Sequence, residues 1–167
     1  RQRQMCIRDR CTSFADTRFA GFAGRHVVTG TPVRRGLLTG DVAAGRKALG
    51  IEDHSAQKIL LVTGGSLGAE NLNRIIRDNL EALTGRFFVA HVCGVGKTVA
   101  MQQQDYLQLE FVDDDWGDLL AAADIVISRA GANALFEWVA LAKLNLLVPL
   151  PLAGSRGDQI ANAQYAQ

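Results

Sequence analysis

With 167 residues, 48% hydrophobic and 21% charged, the chain has enough apolar material for one globular core, and no apolar run approaches the length of a membrane span. Its formal charge of +1 is concentrated at one end: four arginines against one aspartate give the first ten residues +3 and leave −2 for the rest. A domain so nearly neutral makes no bulk electrostatic claim on nucleic acid, and none is expected as a partner.

Residues 1–10 (RQRQMCIRDR) are basic, polar and aperiodic, with no hydrophobic segment of a secretory signal. They are expected to be a non-native or disordered tail, outside the domain of residues 11–167. His26 to Thr29 reads as a short strand ended by Gly30 and Pro32, and Val42 to Leu49 as a weak helix stopped at Gly50. Lys58 to Thr63 (KILLVT) is continuously apolar, as a strand buried on both faces of a parallel sheet should be. After the glycine turn GGSLGA, Leu72, Ile75, Ile76, Leu80 and Leu83 recur at helical spacing up to Gly85. Phe87 to Val92 is the next strand, Thr98 to Gln104 a weaker helix, and Leu107 to Val112 a third strand. Trp116 to Ala123, with Asp115 or a neighbour as a candidate cap, is a short helix, followed by a strand over Asp124 to Ser128. Ala132, Leu135, Phe136, Val139 and Ala140 mark one apolar helix face. A fifth strand, Asn145 to Val148, is cut off by Pro149 and Pro151, and a last helix starts near Asp158.

Strand–helix alternation with short connections predicts an α/β fold, a doubly wound, Rossmann-like parallel sheet. Such sheets bind ligands beyond the carboxyl ends of their strands. The turns that follow strands therefore matter: Gly64–Gly68, Val112–Asp115, Arg129–Asn133 and Pro149–Asp158.

Gly64-Gly65-Ser66-Leu67-Gly68-Ala69 joins a buried strand to an amphipathic helix. It suits phosphate contact through free amides and the Ser66 hydroxyl, or serves only as a structural turn. A dinucleotide fingerprint would need GxGxxG and an acidic residue ending the next strand; here that strand ends in Val92-Cys93, so no NAD site and no cofactor is expected. Ser128-Arg129-Ala130-Gly131-Ala132-Asn133 repeats the arrangement. Asn133 and Glu137 share a helix edge away from the apolar face, where a carboxylate can accept ribose hydroxyls or simply be solvated. Two such helix starts on one sheet edge suggest a diphosphate. Asp113-Asp114-Asp115 holds a D-x-D spacing that can carry a metal-bound nucleotide, but an acidic helix start is the reading favoured by the parallel-sheet context, and no metal is expected. Cys6, Cys11 and Cys93 are too few and scattered for a zinc site or disulfide framework and suit a reducing compartment. His26, His54 and His91 are read as surface or strand-edge residues. Asp158, Gln159 and Asn162 could cap a helix or bond a sugar.

Taken together, TGTPVR (Thr29–Arg34), GGSLGAENLN (Gly64–Asn73), FVDDDWGDLLAAADIVISRAGANALFE (Phe111–Glu137) and PLPLAGSRGDQIANA (Pro149–Ala163) resemble the C-terminal domain of the MurG family of undecaprenyldiphospho-muramoylpentapeptide β-N-acetylglucosaminyltransferases. The resemblance covers about residues 11–167 and implies the donor-binding half of a two-domain GT-B enzyme of peptidoglycan synthesis. That enzyme moves N-acetylglucosamine from its UDP conjugate to the C4 hydroxyl of lipid I, with inversion, giving lipid II.

By match to the family motifs, Arg34, Gly65, Ser66 and Gly68 should serve the diphosphate, and Val112 should meet uracil through its backbone. Ala132, Asn133, Ala134 and Leu135 should present amides to phosphate, Glu137 should hold the ribose, and Asp158 and Gln159 should reach the sugar. The resemblance places no catalytic residue here: the acceptor loops, the histidine base and the membrane-facing surface belong to an N-terminal domain expected to be missing. Lipid I and the cytoplasmic face of the inner membrane are then partners of the whole peripheral enzyme, and this piece alone should be soluble and inactive. Thr31 stands where the family often has Asn or Ser. The alternatives are another GT-B UDP-sugar enzyme, such as a transferase or UDP-GlcNAc 2-epimerase, and a non-catalytic nucleotide-sugar-binding module.

Overall fold

The structure is a computed structural model and describes residues 9–17, 24–51, 55–65, 69–152 and 157–167. By its contacts the chain divides into two compact units, Arg1–Pro32 and Val33–Gln167. In the first, β1 (Asp9–Thr12) pairs in parallel with β2 (Arg25–Val28), and the Thr12 hydroxyl lies 2.6 Å from His26 Nε2. Strand β1 thus takes in Asp9 and Arg10, two residues assigned from sequence to the tail: pairing with β2 supplies backbone partners that no local signal announces.

The second unit is one parallel sheet with the order β5-β4-β3-β6-β7. Its strands are β3 (Lys58–Thr63), β4 (Phe87–Val92), β5 (Tyr106–Leu109), β6 (Ile125–Ser128) and β7 (Leu144–Leu147). The helices are α1 (Val42–Ala48), α2 (Glu70–Asp78), α3 (Leu80–Thr84), α4 (Trp116–Ala122), α5 (Ala132–Ala140) and α6 (Asp158–Tyr165). A short 3-10 segment, Arg35–Thr39, precedes α1.

The expected doubly wound architecture is present, and β3 shows why its sequence is continuously apolar. Ile59 and Leu61 pack into one core with Leu37, Leu49, Leu119, Leu120 and Trp138. Leu60 and Val62 enter the core on the opposite face with Leu72, Ile76, Val89 and Ile127. Each such side chain contributes about 1.5–3 kcal/mol by leaving water. Among the described residues no helix is long and apolar enough to cross a membrane.

On the first face the backbone comes unusually close. A Cβ at Gly40 would collide with the Gly117 carbonyl, one at Gly45 with the Asp118 carbonyl, and one at Gly117 would lie 2.7 Å from Gly36 O. Asp41 N donates to Asp118 Oδ1 at 2.7 Å, and the Asp41 carboxylate caps α1 by accepting from Ala44 N. Asp118, rather than Asp115, is therefore the aspartate that bonds at this junction; Asp115 precedes α4 without a side-chain capping bond.

Several expectations fail for tertiary reasons. Residues 98–104 form no helix, because the Gln108 side chain accepts from Val99 N and donates to Val99 O, engaging the two groups that a helix would use there. Strand β5 ends at Leu109, so Phe111 and Val112 leave the sheet. The helix after the first glycine turn breaks at Asn79, whose side chain bonds Ile75 O. The buried face of α5 is Leu135 and Trp138, while Val139 is 67% exposed. His91 is not at the surface but fully buried, with partners on both ring nitrogens. His26 is exposed, as expected, and His54 lies outside the described residues.

Candidate functional site

The connectivity reverses direction between β3 and β6, and the turns leaving those two strands diverge around a cleft of about 470 Å³. Crevices at such switch points are the usual ligand sites of open α/β sheets. One wall is Gly64, Gly65 and Thr63 at the end of β3; the other is Arg129, Gly131, Asn133 and Ala134 at the start of α5. Phe111, Val112, Asp113 and Trp116 close a third side, and Arg34, Glu137 and Gln159 complete the lining.

Local chemistry explains each position. Gly65 takes φ 86°, a left-handed conformation that costs an L side chain about 1–2 kcal/mol, and its amide donates to Thr63 Oγ1 at 3.3 Å. The first backbone bond of α5 is Leu135 N to Gly131 O at 2.9 Å, so the amides of Ala132, Asn133 and Ala134 have no intrahelical acceptor. The Leu135 amide is spent inside the helix and its side chain in the core. Trp138, 1% exposed, fixes α5 by donating from Nε1 to Ser128 Oγ at 2.8 Å.

Glu137 lies one turn into α5 with its side chain only 17% exposed, 3.8 Å from Nη2 of Arg34, which is 68% exposed. Burial raises the Glu137 pKa above its ordinary value, with Arg34 pulling it partly back. A carboxylate so poorly solvated is poised to accept hydrogen bonds from a ligand. Arg129 donates from Nη1 to Val148 O and Pro149 O at 3.0 and 3.3 Å, and its buried Nε has no hydrogen-bond partner among the described residues. Desolvation lowers its pKa.

Of the sequence-derived site residues, the fold brings Arg34, Gly65, Val112, Asn133, Ala134, Glu137 and Gln159 together. Ala132 lies beside the cleft in the same turn. Asp158 is exposed and outside the lining, and Ser66 and Gly68 lie outside the described residues. Gln159 accepts from Leu150 N at 3.1 Å, and Asn162 neither caps a helix nor faces the cleft but donates to Ala130 O at 2.9 Å. Sequence reasoning missed Arg129, Phe111 and both tryptophans. Arg129 had a signal, its place in the same turn as Asn133; the others did not. A second, wider depression of about 940 Å³ shares Gly64, Gly65, Arg129 and Gln159 and is flanked by Arg74 and Arg77. Among the described residues no three His, Cys, Asp or Glu side chains converge as metal ligands.

Comparison with known proteins bears on the family and the fold. The chain is 45% identical over 157 residues to the UDP-N-acetylglucosamine–N-acetylmuramyl-(pentapeptide) pyrophosphoryl-undecaprenol N-acetylglucosamine transferase of Clostridium tetani, covering 92% of this chain and 43% of that protein. It is 47% identical over 142 residues to the transferase of the same name from Legionella pneumophila (strain Lens), covering 84% and 39%. The chain thus spans about two-fifths of the length of these curated relatives. The crystal structure of Acinetobacter baumannii MurG superposes with a TM-score of 0.63 at 26% identity, over 94% of this chain and 43% of that one. The family model of the glycosyltransferase family 28 C-terminal domain matches residues 59–167, most of the chain, and the chain belongs to that family.

Proposed function

We propose that this domain binds UDP-N-acetylglucosamine for an inverting transfer to the pyrophosphoryl-linked muramyl acceptor, lipid I, at the cytoplasmic face of a bacterial membrane. The observation that carries the reading is the convergence, at the β3–β6 switch point, of the glycine turn that ends β3, the start of α5, one exposed guanidinium and one largely buried carboxylate. In this reading Glu137 accepts from the ribose hydroxyls. The amides of Ala132, Asn133 and Ala134, with Arg34, face the diphosphate. The backbone at Val112 reads the uracil edge, Gln159 and Asp158 reach the sugar, and Gly65 forms the opposite wall; Ser66 and Gly68, outside the described residues, are assigned to the diphosphate by motif alone. Arg129 adds a second positive charge beside Gly64.

No proton acceptor is assigned to this chain. His91 is excluded, because both its ring nitrogens are engaged and it is sealed in the core. The base for the acceptor hydroxyl is therefore sought in the remainder of the full-length enzyme.

Calorimetry with UDP, ADP and GDP tests the assignment, each measured with EDTA and with magnesium. UDP should bind in preference to both purine nucleotides, without a metal requirement. Equal affinity for all three removes the UDP-sugar reading; a metal requirement abolished by Asp113→Asn or Asp115→Asn replaces it with a metal-bound nucleotide. Glu137→Ala should weaken UDP at least tenfold, about 1.4 kcal/mol, and abolish discrimination against 2′-deoxy-UDP. A variant that still binds and discriminates normally would make Glu137 a bystander.

A further inference from the structure

Beneath α2 lies a polar chain, buried at Asn73, His91 and Cys93 and half-buried at Tyr106, that neither the cleft nor the apolar core requires. Asn73 Nδ2 lies 2.9 Å from the Cys93 carbonyl, Asn73 Oδ1 lies 3.0 Å from His91 Nε2, and His91 Nδ1 lies 2.9 Å from the Tyr106 hydroxyl. A carbonyl only accepts, so Cys93 O fixes the amide of Asn73 with its nitrogen toward the strand end. Oδ1 then faces His91, which must carry its proton on Nε2, and Nδ1 must accept from Tyr106. Every hydrogen bond has one direction, and the relay runs from Tyr106 on β5 through His91 on β4 to Asn73 on α2 and back to the end of β4. Burial, reinforced by the charge of Arg77, lowers the His91 pKa to about 4, in keeping with a neutral ring.

Asn73 also closes the first turn of α2, its amide donating to Ala69 O at 2.8 Å. Its side chain therefore couples that turn to the end of β4, where Val92 lines the nucleotide cleft, while Ala69 and Gly65 wall the neighbouring depression. Asparagine alone offers one donor and one acceptor at this reach. Aspartate has no donor, leucine neither, and glutamine is a methylene too long. We propose that Asn73 is a positioning residue: through His91 and Cys93 O it sets the height and rotation of the first turn of α2, and so aims the helix start, Ala69 and Glu70, that walls the depression beside the donor site. The ligand side of this inference rests on the function proposed above; the structural side does not.

The test uses the whole chain with Asn73→Ala, Asn73→Asp and, as a core control at the far end of β3, Ile59→Ala. Amide hydrogen exchange is read at position 73 relative to the Leu61 amide in the central strand. In Asn73→Ala, exchange at position 73 should rise more than tenfold over that of Leu61, whereas in Ile59→Ala the two should rise together. Asn73→Asp, which keeps the acceptor and loses the donor, should fall between. Tyr106→Phe, removing only the far hydroxyl, should give a smaller rise in the same place, and it carries the test if the Asn73 variants do not fold. UDP affinity of the folded variants should drop at least tenfold in Asn73→Ala and less than twofold in Ile59→Ala. If position 73 and Leu61 exchange in step in every variant, the relay positions nothing. A parent chain that does not bind UDP would remove the functional reading and leave the exchange comparison valid. Unchanged UDP affinity in Asn73→Ala, with a parent that binds, overturns the aiming role.

Discussion

The two turns that bound the cleft look alike in sequence and are built on different principles. At the end of β3, Gly65 has φ 86°, and the helix that follows is moored by the polar relay of Asn73 and His91. At the end of β6, Gly131 has φ −69° and ψ 143°, an ordinary extended conformation, and the helix is moored by Trp138 wedged in the core with its indole N–H on Ser128. Trp116 supports it edge-on at 6.5 Å. A Cβ at Gly131 would meet nothing within 4 Å. The backbone therefore demands glycine at 65, whereas at 131 the absence of a side chain leaves room on the cleft side and is not needed by the fold.

The largest expected effect breaks the apolar mooring. Trp138→Ala should cost about 3–5 kcal/mol, read as a lower urea midpoint; a loss under about 1 kcal/mol would show that α5 is held by something else. The polar mooring should reveal itself through pH. The folded pKa of His91, about 4, lies below the ordinary 6.5, so between those values the unfolded chain binds the extra proton. Stability should then fall as pH drops through that window, by up to about 1.4 kcal/mol per unit. Urea titrations from pH 7 to 4.5 should show a steeper slope for the parent than for His91→Gln; equal slopes would mean the ring is not the proton site.

Substitution at the glycines sharpens the contrast. Gly65→Ala should cost about 1–2 kcal/mol through backbone strain alone, since no atom lies in the way. Gly131→Ala should leave stability within about 0.5 kcal/mol, or raise it slightly by restricting the unfolded chain, yet weaken UDP at least tenfold by filling the approach to the α5 amides. Normal UDP binding by Gly131→Ala would show that no ligand comes close to that backbone.

The sheet was legible because its signal is local. KILLVT is buried on both faces, and five apolar runs separated by short connections leave little choice of topology. What escaped depends on partners distant in the chain. Residues 98–104 carry helix-compatible spacing, but Gln108 captures both the N–H and the C=O of Val99. A lone histidine reads as surface until Asn73 and Tyr106, 18 and 15 residues away, supply its bonds. The face of α5 was misjudged because the aliphatic pattern omitted Trp138, whose one polar atom is satisfied by a serine in the preceding strand. Within the site, Gly65 and the α5 turn can be reasoned from glycine chemistry, but the 3.8 Å approach of Arg34 to Glu137 needed the fold or a family likeness. The exclusion of the Leu135 amide needed the actual hydrogen bonds.

The glycine contacts between the Arg35–Thr39 segment, α1 and α4 have a mechanical consequence. Arg34 immediately precedes that segment, its carbonyl accepting from Leu37 N at 3.1 Å, and Trp116 begins α4. Backbone rests directly on backbone at Gly40 and Gly117 and at Gly45 and Asp118, so the arm bearing Arg34 and the wall bearing Trp116 form one clamp with no compliant layer between its jaws. A methyl group inserted at position 40 or 45, neither of which lines the cleft, is a wedge that would shift the Arg34 arm against α4 and so reach the cleft from outside it.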